Sequence, residues 1–267
     1  MTKEEMDKMI SNMNYGKSDD VLKAKFYLRF SPFAIKGFEM PERFTDDEPV
    51  PEDENVFRTV KRNLGEQLKT DPLVCAKFVS RRILDRLAED LKEDDGTINA
   101  VKLFAVLGAV AGYELMRGIV SSVSDFTPDE LARMSIMIIG MKNGENYLMG
   151  DLVGNQFINF YFSAAQDNTL SIEPLMKQSE ICAKNIGTPA YWETSLDLGM
   201  TPLVIAENFG ARFNGLLETY TRYPLERVVA YALAAVELIR QSEKAMKKER
   251  ALEILAEYGW RTSHFIA

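Results

Sequence analysis

Glu207, Asn208 and Arg212 bring polar and charged groups to an otherwise apolar helix expected over 202–218. A carboxylate in an apolar setting can act as a base, and an amide and a guanidinium beside it can orient a ligand. Tyr191, Trp192 and Glu193 form a second group, in a loop expected over 187–199. Loop aromatics beside a carboxylate suit ring stacking or the anchoring of an interface. Together the two groups point to a pocket between helix 202–218 and this loop, lined by Tyr191, Trp192, Glu207, Asn208 and Arg212. The plainer reading of each group is structural: polar residues on a helix edge, and an aromatic plug over the core. The spacing from Glu207 to Arg212 is not that of helical neighbours. A third group, Lys244, Lys247, Lys248 and Arg250, alternates with Glu243, Glu249 and Glu253. It reads as a solvated helix face rather than a phosphate patch.

Other reactive residue types are scarce. The single histidine, His264, falls on what reads as a frayed tail, so a Ser-His-Asp or Cys-His set would depend on a poorly held residue. Cys75 and Cys182 sit among apolar neighbours, form no C-x-x-C pair and read as small buried hydrophobes. With His264 they fall short of the four ligands of a structural zinc site. Neither a G-x-x-x-x-G-K-[ST] phosphate loop nor a G-x-G-x-x-G after a strand occurs. No catalytic residue, metal or cofactor is therefore assigned. The chemistry left open is that of carboxylate, Lys, Tyr or Arg side chains.

The elements that must position these residues are mainly helical, with helical spacing along most of the chain. Met6, Met9, Ile10 and Met13 mark a short N-terminal helix, and residues 18–30 fit helix or strand. Further helices are expected over 54–68, from Asp71-Pro72 to about 91, and over 98–120 with Thr97 as cap. Thr127-Pro128 opens a short one. Others start at Asp151, Ser171, Thr201-Pro202 and Pro224, and a last one ends at Tyr258-Gly259. The helix over 98–120 is apolar all round and belongs inside the fold. Gly108 and Gly112, one turn apart, leave it a groove for close packing, and Glu114 and Arg117 form a partly buried ion pair. Asn143-Gly144 between β-prone runs predicts a hairpin over 135–149, both turn residues taking positive φ. Two strands alone are barely stable, so the hairpin must pack on a helix or pair with another chain.

The 267 residues carry 40 acids and 32 Lys+Arg, a net charge of −8. Residues 39–55 hold eight acids, one base and three prolines, which makes them an acidic linker. The organisation expected is an N-terminal helical arm over 1–38 folding back on the body, this linker, and a main helical domain over 56–267. The fold class is mainly α, multi-helix, with one inserted hairpin. The polar start argues against a secretory signal, and the apolar run Leu103–Tyr113 is shorter than a bilayer span. A cytoplasmic protein is expected, with no membrane or nucleic-acid partner. The function that fits is non-catalytic, through homo-oligomer formation or a protein partner. The alternative is a small-molecule-binding protein or carboxylate-dependent enzyme using the pocket above.

Overall fold

α4 (Ala100–Ser122) is the axis about which the rest is built. The computed structural model describes residues 19–35, 54–166 and 171–266. The methionine stripe at 6–13 and most of the acidic segment 39–55 lie outside the described residues. Before α4 come α1 (Asp19–Phe30), α2 (Glu54–Leu68) and α3 (Val74–Asp90). After it come α5 (Pro128–Arg133), β1 (Met137–Gly140), β2 (Asn146–Met149), α6 (Asp151–Ala165) and α7 (Glu173–Asn185). The chain continues through α8 (Pro202–Tyr220), α9 (Pro224–Ser242), α10 (Lys248–His264) and β3 (Phe265–Ile266). The fold is thus mainly α with a small antiparallel sheet. By length and composition α4 could cross a membrane, but most of it is buried inside this fold. α1, α6, α8, α9 and α10 all pack on it.

The closest contact is with α10, along the groove that Gly108 and Gly112 open. A Cβ on Gly108 would lie 2.7 Å from the Leu255 carbonyl oxygen, so only glycine fits there. Gly112 meets Gly259 and Thr262 in the same way. The Thr262 hydroxyl donates to the Ala109 carbonyl at 2.8 Å, tying the two helices together. The expected end at Tyr258-Gly259 is therefore wrong: α10 runs on to His264, and Gly259 is a packing residue rather than a stop. Asn99, not Thr97, caps α4, accepting from the amides of Val101 and Lys102. Thr127 and Thr201 cap α5 and α8 as expected. Glu114 is buried and pairs with Arg117 at 2.9 Å and with Arg227 at 3.8 Å. Burial raises its carboxyl above the usual range, against the pull of both guanidiniums. Val21, Leu22, Phe26 and Phe30 of α1 are buried, the last three in this same core, and Asp19–Phe30 is helix rather than strand.

The hairpin forms with register Met137↔Met149 to Gly140↔Asn146. Its turn differs from the expected one, because Gly144 takes positive φ and Asn143 does not. Lys142, Asn143 and Gly144 make a three-residue loop closed by the Met141 amide donating to the Glu145 carbonyl at 2.8 Å. The hairpin is not isolated. β3, directly after α10, pairs with β2 and gives the order β1-β2-β3.

Candidate functional site

The two groups picked out on the sequence occupy different surroundings. Glu207, Asn208 and Arg212 are exposed on the outer face of α8. Arg212 lies 2.9 Å from the Asp90 carboxylate, an ion pair lacking hydrogen-bond alignment, and its guanidinium sits 5.0 Å from the Phe209 ring. Glu207 is hence not a desolvated base, because the apolar residues of α8 face inward and carry it to the opposite side. Tyr191 is buried and Trp192 half-buried, in a short 3-10 turn, Pro189–Trp192. With Tyr147 and Phe265 they form an aromatic cluster with centroid spacings from 4.9 to 5.5 Å. This segment packs on α7, α10 and the sheet, apart from the exposed face of α8 that carries Glu207, Asn208 and Arg212.

Arg261 explains how this segment is held. It is fully buried on the last turns of α10. Its Nε donates to the Tyr191 carbonyl at 2.9 Å, and the Tyr191 hydroxyl donates back to the Arg261 carbonyl at 2.8 Å. Nη1 donates to Gln178 Oε1 and to the Glu257 carbonyl, both at 2.7 Å, and Nη2 to the Glu193 carbonyl at 2.7 Å. The planar fork thus ties α7, α10 and the loop into one unit. The Glu257 carboxylate accepts from the Ser195 amide at 2.7 Å and hydroxyl at 2.6 Å, fixing the far side of the loop.

Two cavities flank α7. One is a cleft of about 780 Å³ with Lys177, Gln178, Glu193, Glu257 and Arg261 among its walls. The other, of about 270 Å³, lies among α6, α7 and α10 and contains Cys182 and His264. His264 is buried there, not frayed: its ring stacks on Trp260 at 4.6 Å, and its Nδ1 lies 2.9 Å from the Trp260 carbonyl oxygen. Burial pushes its pKa down to about 4, so the ring is neutral at pH 7. Burial likewise pushes the Cys182 thiol up to about 11, which keeps it protonated. Among the described residues no hydrogen bond joins this thiol to His264, and no cluster of three His, Cys, Asp or Glu could hold a metal. A protonated thiol is a weak nucleophile.

β1 is an outer strand of the sheet. The Met141–Glu145 bond sets the alternation, so Met137 and Ile139 bond to β2 while Ile138 and Gly140 point their backbone groups outward. Met137, Ile138 and Ile139 are 52%, 50% and 38% exposed. From Ile136 to Met141 there is no charge and no proline, the residues that usually guard an edge. On the other side the hairpin is anchored: Asn143 Nδ2 donates to the Gly187 carbonyl at 3.2 Å, and the Gly187 amide donates to the Tyr147 hydroxyl at 3.2 Å.

In comparisons with family models, curated proteins and solved structures, nothing matches the chain.

Proposed function

We propose that this is a non-catalytic helical protein that acts by self-association, β1 of one copy pairing antiparallel with β1 of a second. The observation that supports this is the apolar, uncharged edge of β1, whose outward groups at Ile138 and Gly140 have no partner among the described residues. A two-fold axis at Ile139 sets Ile138 against Gly140 of the partner copy, and the two exchange both backbone bonds. Such an interface is small, so the association is weak and depends on concentration. The two buried free cysteines fit a reducing compartment, and we place the protein in the cytoplasm. Sedimentation velocity over a range of micromolar concentrations tests the reading. The weight-average mass should rise above the 30.3 kDa of one chain. In Ile138→Lys it should stay there. A wild-type mass fixed at one chain up to hundreds of micromolar would sink the idea and leave an extended segment of another protein as occupant of the edge.

A second reading, a small-molecule-binding protein, is favoured by the 780 Å³ cleft at Arg261, which has the size of a ligand site. Thermal-shift screening of metabolites on wild type and Lys177→Glu tests it. A stabilising metabolite whose effect the substitution abolishes supports the cleft, and one whose effect is unchanged counts against it.

A further inference from the structure

The smaller cavity has a built interior. Trp260, His264, Cys182 and Tyr191 are buried along its inner wall, while Asp151, Asn155 and Ala183 are exposed at its rim. His264 is only 5% exposed. The Trp260 carbonyl can only accept, so Nδ1 carries the ring proton and Nε2 keeps its lone pair. The Ser263 hydroxyl also lies at Nδ1, 2.8 Å away, and Nε2 has no hydrogen-bond partner among the described residues. This lone pair is therefore open to a donor that enters the cavity. Ile158, Ile186 and Trp260 give the cavity an apolar side, and a charge placed against it would lose hydration.

We propose that this pocket binds a small neutral molecule with a flat apolar body and one N–H or O–H group, which donates to His264 Nε2. A cavity of about 150 Å³ holds benzene. At about 270 Å³ this one has room for a fused bicyclic body of the indole type. The polar group lies inside against His264 and the apolar body runs along Trp260 toward the rim. Neither the hairpin edge nor the cleft at Arg261 takes part, so the pocket stands or falls independently of self-association.

Isothermal titration of the full chain at pH 7 with indole, and with indene as a donor-free shape mimic, tests the proposal. The wild type should bind indole at least about tenfold more tightly than indene, the discrimination of one buried hydrogen bond. His264→Phe keeps the ring but removes the acceptor, and should abolish that preference. Ala183→Phe fills the exposed rim without touching the core, and should prevent binding of both compounds while the circular dichroism spectrum is unchanged. Equal wild-type affinities would mean that water alone serves Nε2 and would overturn the proposal. So would the absence of indole binding up to its solubility, or unchanged indole binding in Ala183→Phe.

Discussion

The seam between α4 and α10 and the outer edge of β1 are both apolar, yet they treat the backbone in opposite ways. In the seam, Gly108, Gly112 and Gly259 let two helix backbones touch, and the Thr262 hydroxyl takes up a carbonyl on the facing helix. Nothing more fits there. At the edge, apolar side chains and backbone groups both face outward, without a charge to keep another strand away. The contrast separates residues that hold the molecule together from residues free to engage something else. Removing the first kind should cost stability, and changing the second kind should cost association only.

Gly112→Val should do the greatest damage, since its side chain would meet the Gly259 backbone. A loss of about 4 kcal/mol is expected in urea unfolding, and an unchanged midpoint would mean that the seam is looser than described. His264 should act through pH. Its folded pKa of about 4 lies below an unfolded value near 6.5, so between those values the unfolded chain binds the extra proton. Stability contributed by the neutral ring should fall as pH drops through that window, by roughly 3 kcal/mol at most. Subtracting the curve of His264→Gln isolates this part from Glu114, whose raised pKa has the opposite sign. A difference curve that is flat from pH 7 to 4 would contradict the burial of His264. Arg261→Met leaves the Tyr191 and Glu193 carbonyls and Gln178 Oε1 without their donor, but the adjoining cleft admits water to some of them. About 2 kcal/mol should be lost, with faster proteolysis of the 187–199 loop. At the edge, Ile138→Lys should shift stability by less than about 0.5 kcal/mol and still abolish association. Glu207→Gln should change neither, and a loss of association with it would move the interface to α8.

Much of the helical frame was legible because apolar periodicity and caps are local signals. Thr127 and Thr201 act within a turn of where they stand, and the one-turn spacing of Gly108 and Gly112 can be read in the sequence although the helix that fills their groove cannot. The hairpin was legible for the same reason, although its turn took a third loop residue. The candidate site was less so. Tyr191 and Trp192 stand out in the sequence, but Arg261, which bonds Tyr191, and the Gln178 and Glu257 around it come together only through tertiary packing. Gly259 concealed this, since Tyr-Gly resembles a helix stop. Only the matching grooves on α4 and α10 reveal it as a contact, and with α10 ended too early, His264 and β3 were lost. Glu207 misled in the other direction. A carboxylate in an apolar helix reads as buried until one knows which face of the helix is covered.

The central claim is the pairing of two β1 edges about Ile139, and disulfide trapping tests it most directly. In that register the two copies of residue 139 form a non-hydrogen-bonded pair, whose Cα atoms lie about 4.5 Å apart, close enough for a disulfide. Cys75 and Cys182 are buried and should not compete. Ile139→Cys should give a covalent dimer within minutes of mild oxidation at micromolar protein. Gly215→Cys, exposed on α8, should remain monomeric. Equal or negligible crosslinking of the two variants would contradict the account.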